Sequence, residues 1–201
     1  MFDSRLRPLI DPVSNRLGLG LVHFGVTANM VTVTGGVFGV MACLALCLQS
    51  YNLALVFIVL NRIFDGLDGA VARHQGITDL GGYLDIVIDF IFYAIIPMGF
   101  AIGNPDYALP AAVLITSFVG TGSSFLAFAI MAEKRGISTD IRGQKSLYYL
   151  GGLTEGFETI VALILMCIWP EYFPVIAYVF AGLCWITTAT RIYWAVKTCR
   201  D

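Results

Sequence analysis

Six apolar runs lie almost end to end along this chain, at residues 27–49, 52–74, 78–103, 107–133, 147–169 and 173–197. A bilayer span needs roughly 20 mostly apolar residues wound as a helix, because a backbone amide in hydrocarbon has no water to bond to. The 201 residues leave only short connections between such runs, so a separate soluble domain has no room. Composition agrees, with 58% hydrophobic residues, 13% charged residues and a mean hydropathy of +0.80, against an apolar share of about 45–50% in soluble domains. The expected fold is an all-α integral membrane protein of one domain: six transmembrane helices over 27–197, preceded by a short interfacial segment over 1–26.

Within that first segment, residues 4–20 place Leu6, Leu9, Ile10, Val13 and Leu17 opposite Arg5, Asp11, Asn15 and Arg16 at helical spacing. This is the pattern of an amphipathic helix lying in the membrane interface, and Pro8 and Pro12 predict that it is broken or kinked. The N-terminus lacks a signal-peptide pattern, so the first span is expected to act as its own insertion signal.

Lys and Arg fall on alternate connections or near their ends. Arg5, Arg7 and Arg16 precede the first span, Arg62 and Arg73 flank the bend between the second and third, Lys134, Arg135, Arg142 and Lys145 fill the fourth connection, and Arg191, Lys197 and Arg200 close the chain. The connections around 49–52, 103–106 and 170–174 carry none. By the positive-inside rule both termini and the bend after the second span are cytoplasmic, which suits a bacterial inner membrane. The net charge of −2 is divided by side and indicates no nucleic-acid partner. Cys43, Cys47, Cys167, Cys184 and Cys199 show no metal or disulfide spacing and read as small buried residues. Gly35 and Gly39, and the small residues of GTGSS at 120–124, read as points of close helix approach. Neither His23 nor His74 has a partner pattern that suggests a role.

The second and third spans carry what an oily chain should avoid. DGLDGAVARHQGITDLGGYLDIVID, residues 65–89, holds five aspartates and an arginine, although each charge facing lipid costs several kcal/mol, about 2.5–3.5 on the mildest scale. A helix turns about 100° per residue, so Asp65, Asp68, Gly69 and Ala72 share a sector of about 100° with Arg73 at its edge, while Gly81, Asp85 and Asp89 form a second stripe at four-residue steps. The short connection makes the two helices antiparallel neighbours, and their four carboxylates converge. Left alone they would repel one another. A hard divalent cation such as Mg²⁺ or Mn²⁺ removes the conflict, and a carboxylate-held cation of this kind commonly engages phosphate. Arg73 supplies a guanidinium fork suited to phosphate oxygens, and the glycines leave room beside it. Metal, phosphate contacts and a spare carboxylate as base are the parts needed for displacement at phosphorus. The same carboxylates could instead line a cation path through a transporter or channel. Against that stand Arg73, the glycines and the placement of the acids in one half of the membrane, with Asp106 and Glu171 the only acids in the far connections.

Asp65-x-x-Asp68-Gly69-x-x-Ala72-Arg73, seven residues, then Gly81-x-x-x-Asp85-x-x-x-Asp89 resembles the signature of the CDP-alcohol phosphotransferases, also called CDP-alcohol phosphatidyltransferases, membrane enzymes of phospholipid synthesis. The family's spacer is usually eight residues, and the difference falls in the loop. The six-span layout agrees with the family, and TANMVT at 27–32 looks like the Thr-x-Asn-x-x-Thr opening of its first span. The resemblance implies that Asp65, Asp68 and Asp85 bind one or two Mg²⁺ or Mn²⁺ ions and that Asp89 serves a second ion or acts as general base. It also implies that Asn29, Asp65, Asp68, Gly69, Ala72, Arg73 and Gly81 line the CDP site, and that the protein is a homodimer. The donor would be CDP-diacylglycerol or another CDP-alcohol, and the acceptor a small alcohol, with CMP released.

The acceptor is less constrained. Lys134, Arg135, Arg142 and Lys145 would suit an anionic polyol such as glycerol 3-phosphate or an inositol phosphate, or they answer only to anionic lipid head groups. Serine, choline or ethanolamine are the alternatives within the same family. Glu155 and Glu158, i and i+3 in the fifth span, either bond acceptor hydroxyls or pair with Arg142, Lys145 or Arg191 as support. Asp79 in the bend reads as a solvated helix cap.

Overall fold

The computed structural model describes residues 3–135 and 152–199, with side chains from Pro12 to Thr198. Seven α-helices occupy these residues: α1 (Asp3–His23), α2 (Ala28–Cys47), α3 (Tyr51–Gln75), α4 (Asp79–Gly103), α5 (Ala108–Lys134), α6 (Gly156–Ile168) and α7 (Phe173–Cys199). Four helical stretches are long and apolar enough to cross a membrane: Ala28–Cys47, Asp79–Gly103, Pro105–Lys134 and Pro170–Thr198. Helix α3 has the length, at 25 residues, but its charged inner half sets it apart from these four. The expected count of six spans is therefore matched by four helices among the described residues.

The expected fifth span, 147–169, is corrected where the structure describes it. Residues 152–155 are not helical and α6 starts only at Gly156, giving a helix of 13 residues. Its start is fixed by a capping box: the Glu155 side chain accepts from the backbone of Glu158, and the Glu158 carboxylate accepts from the Glu155 amide at 3.2 Å. These reciprocal bonds satisfy amides that a helix start leaves open. The segment forms one helix, α1, with no break at Pro8 or Pro12 between Asp3 and His23. It packs against α3. A Cβ at Gly18 would stand 3.0 Å from Ala70 Cβ and 3.2 Å from the Val71 amide nitrogen.

The bend that aligns the acidic stripes is short because both of its ends are capped. Gly76, at φ +100°, returns its amide to the Ala72 carbonyl at 2.9 Å and closes α3, a conformation that L side chains rarely adopt. Thr78 caps α4 by accepting from the Gly81 amide at 3.1 Å. Asp79 is thus not the cap but the first residue of α4, where an acid complements the positive end of the helix.

Helices α3 and α4 each pack on α2, α1 lies on α3, α5 packs on α4 and α7, and α6 packs on α3 and α7. One stripe of α4 carries both the acidic positions and the core: Gly81, Asp85 and Asp89 are followed at three- and four-residue steps by buried Phe92, Ile96 and Phe100. In lipid, helices associate through close packing rather than by escape from water. Phe100 stacks on Phe173 with ring centroids 4.4 Å apart, anchoring α4 to α7. The glycine readings hold: a Cβ at Gly35 would lie 3.2 Å from Phe64 Cβ, one at Gly39 3.0 Å from the Phe92 ring, and one at Gly122 would overlap the Phe90 ring. Cys43, Cys167 and Cys184 are buried free thiols, and Cys47 is a partly buried one. At Gly99 an added Cβ would meet the Cys43 carbonyl oxygen and Leu46 Cβ, both at 2.9 Å. Gly99→Ala is expected to cost about 1–3 kcal/mol by overpacking, read as a lower melting temperature in detergent. An unchanged melting temperature would show that the α2–α4 seam can open.

Candidate active site

Helices α2, α3 and α4 enclose a small polar cavity whose lining includes all four aspartates of the paired stripes. Asp65 on α3 and Asp85 and Asp89 on α4 each offer a carboxylate oxygen, and these three lie within 4.8 Å of one another. Asp68 lines the same cavity, 6% exposed, and accepts from the Thr32 hydroxyl at 2.6 Å. The α2 wall is Thr32, Gly35 and Gly36, where the missing side chains let α3 and α4 each come close to α2.

Two residues on α3 complete the cavity. Asn61, buried, donates its amide to the Gly35 carbonyl at 2.8 Å. Arg62 points inward, not toward the bend as its position in the charge pattern suggested. Its Nη2 donates to Asp89 Oδ1 at 2.8 Å, Nη1 stands 3.6 Å from Asp65 Oδ2, and Nε donates to Asn61 Oδ1 at 2.7 Å. The guanidinium carbon lies 4.3 Å from the centroid of the Phe92 ring and 5.7 Å from that of Tyr93. The correction has a simple cause. The bend starts after Gln75, so Arg62 is more than three turns back inside α3, where a cation must be paired to be tolerated.

Arg73, the arginine that the motif put forward, stands at the other end of the site. Its Nε and Nη2 donate to Asn15 Oδ1 on α1 at 3.1 and 2.9 Å. Gly81 and Asn29 come together, as a Cβ at Gly81 would be 3.2 Å from Asn29 Oδ1. At Gly69 the same test meets nothing nearer than the Arg73 guanidinium at 3.7 Å, leaving that backbone open to approach. Ala72 is half-buried on α3. Glu155 and Glu158 share a turn as expected, but as the cap of α6, and Glu155 Oε1 also accepts from the Gly152 amide at 3.2 Å. Arg191 donates to the Thr121 carbonyl at 3.0 Å. Arg142 and Lys145 lie outside the described residues.

Thr32, Asn61 and Arg62 are the cavity residues with polar side chains that sequence reasoning did not assign. A local signal existed for one of them: Arg62 and Asp65 are i and i+3, hence on one helix face. Thr32→Val removes a hydrogen bond to a charged group, worth about 1.5–3 kcal/mol, and is expected to lower thermal stability, whereas Thr32→Ser should keep most of it. Equal melting temperatures for the two variants would show that the bond is immaterial.

A family model described as CDP-alcohol phosphatidyltransferase matches residues 25–193. The chain is 47% identical over 194 residues to the Inner membrane protein YnjF of Escherichia coli (strain K12), which spans 96% of this chain and 94% of that protein. It is 29% identical over 196 residues to the Archaetidylinositol phosphate synthase of Pyrococcus horikoshii, 96% of each chain. Among solved structures it shares the fold of the phosphatidylinositol phosphate synthase of Mycobacterium tuberculosis. The crystal structure with manganese and citrate has a TM-score of 0.71 at 21% identity, over 90% of this chain and 88% of that one. The structure with CDP-DAG bound has a TM-score of 0.68 at 19% identity, over 92% and 94%.

Proposed function

Because the chain belongs to the CDP-alcohol phosphatidyltransferase family, we propose that it transfers the phosphatidyl group of CDP-diacylglycerol to the hydroxyl of a small anionic polyol, releasing CMP. The observation that carries this reading is the convergence of Asp65, Asp85 and Asp89 oxygens within 4.8 Å inside an apolar helical protein. Three hard oxygen donors at that spacing fit Mg²⁺ or Mn²⁺, with Asp68 beside them in the same cavity. The manganese and CDP-DAG complexes of the M. tuberculosis enzyme support the same choice of metal class and donor.

When bound, the divalent cation would neutralise charge on the phosphate oxygens and on the departing CMP. The chain's residues do the rest. Asp65, Asp68 and Asp85 would hold the cation. Asp89 takes the proton of the acceptor hydroxyl as its oxygen attacks phosphorus and the bond from that phosphorus to the CMP oxygen breaks. Gly69 leaves backbone open to the nucleotide, Gly81 lets Asn29 and Thr78 come close at the mouth of the site, and Arg73 would turn its guanidinium to phosphate oxygens. The site lies in the half of the membrane that faces the cytoplasm, so the lipid donor reaches it from the inner leaflet of the inner membrane.

Relatives named for inositol phosphate products make an inositol phosphate the first acceptor to test, and the basic residues Lys134, Arg135, Arg142 and Lys145 support an acceptor that carries phosphate. Purified protein in detergent with Mn²⁺ and CDP-diacylglycerol is expected to release CMP with inositol phosphate at least ~10-fold faster than with serine, choline, ethanolamine or inositol. Glycerol 3-phosphate serves as the competing anionic acceptor. Preference for serine or choline would overturn the anionic-acceptor reading, and no CMP release with any of them would overturn the reaction itself.

A further inference from the structure

We propose that Arg62 is a positioning residue for the reaction: through its ion pair across the cavity between α3 and α4 it holds the Asp89 carboxylate, one oxygen on the guanidinium and the other turned to the acceptor hydroxyl. The inference rests on the reading of Asp89 as general base.

The geometry around Arg62 is over-determined. Its side chain is 15% exposed and contacts Asp89 and Asp65. Nε is bonded to Asn61, which is itself bonded to the Gly35 carbonyl of α2. The guanidinium plane is confined by the rings of Phe92 and Tyr93, and the Tyr93 hydroxyl stands 3.5 Å from Nη1. Backbone of α2, side chains of α3 and aromatics of α4 thus fix one cation against one carboxylate. A lone buried ion pair is a weak source of stability, since apolar side chains of similar volume commonly do as well. Fixing the direction of a carboxylate is something that an apolar side chain cannot do.

Asp89 needs that direction. It stands among like charges, with Asp65 and Asp85 oxygens within 4.8 Å, and repulsion alone would swing it away from them. A base must point within hydrogen-bond reach of the proton it takes, and a misplacement of about 1 Å can cost on the order of 10²-fold in rate. Arg62 supplies the restraint from α3 while its charge offsets part of the negative field.

A second consequence separates this role from a simple brace. One positive charge beside Asp65 and Asp89 opposes the arrival of another cation. Removing it therefore strengthens divalent binding even as turnover falls, whereas loss of a brace would weaken both.

The test uses the full chain in detergent, with Arg62→Met, Arg62→Lys, Asp89→Asn and the double variant Arg62→Met/Asp89→Asn. Single-turnover CMP release from CDP-diacylglycerol and Mn²⁺ binding by electron paramagnetic resonance without substrate are measured for each. Arg62→Met is expected to lower the rate about 10²-fold with the KM for CDP-diacylglycerol unchanged, and to bind Mn²⁺ roughly 10-fold more tightly because a repelling charge is gone. Arg62→Lys keeps the charge but not the fork, so its Mn²⁺ affinity stays at the wild-type value and its rate falls between. The double variant should be no slower than Asp89→Asn alone, since residues that act as one unit are not additive. A wild-type rate in Arg62→Met, multiplied losses in the double variant, or Mn²⁺ binding that weakens together with melting temperature would each overturn the proposal. Full turnover in Asp89→Asn would instead overturn the general-base reading beneath it, an outcome that the single variants keep distinct.

Discussion

Asp89→Asn is expected to lower the rate of CMP release by roughly 10²–10⁴-fold, the range that a positioned acid or base contributes. Asparagine keeps the shape of the side chain and can still accept from Arg62, so the substitution removes the charge and the proton-accepting oxygen rather than the packing. The position also explains why no neighbour takes over. Asp65, Asp68 and Asp85 are the carboxylates that the proposed cation would occupy, and Asp68 also accepts from the Thr32 hydroxyl at 2.6 Å. The check is CMP release with CDP-diacylglycerol, Mn²⁺ and the best acceptor, with the melting temperature recorded alongside. Full turnover in a folded Asp89→Asn protein would move the proton transfer elsewhere.

Chelation of divalent cations should have an effect at least as large. Charge neutralisation at a phosphoryl group is worth several kcal/mol, and each 1.4 kcal/mol is a factor of ten, so EDTA is expected to lower turnover by ~10³-fold or more and added Mn²⁺ or Mg²⁺ to restore it. Asp65→Asn should then show the same loss without relief by added metal up to millimolar concentration, together with weakened Mn²⁺ uptake in calorimetry. Turnover that persists in EDTA, or Mn²⁺ uptake that is the same in Asp65→Asn and the wild type, would remove the cation from the site.

Most helix limits were legible because the apolar runs are local facts. The runs 78–103 and 107–133 correspond to α4 at Asp79–Gly103 and α5 at Ala108–Lys134. The acidic stripes were legible for the same reason, since helical pitch alone puts Asp65 beside Asp68 and Asp85 below Asp89. The start of α6 was not, because a run of apolar residues does not record where a capping box interrupts it. Glu155 and Glu158, read from the sequence either as acceptor contacts or as structural support, form the capping box that starts α6. The break expected at Pro8 or Pro12 does not occur in α1: a lost backbone bond is a local cost, whereas packing against α3 is a gain from distant residues.

The sequence by itself determined that this is a helical membrane protein with carboxylates paired across one tight bend, since hydropathy and helical pitch act over a few residues and need no partner. Which cation meets those carboxylates was decided only by tertiary structure. Arg73 belongs to the motif in the chain but is bonded to Asn15 of α1, while Arg62, three residues before Asp65, reaches Asp89 because α3 and α4 both pack on α2 and line one cavity. An ion pair forms between side chains that the fold brings within about 3 Å, and distance along the chain has no part in that attraction.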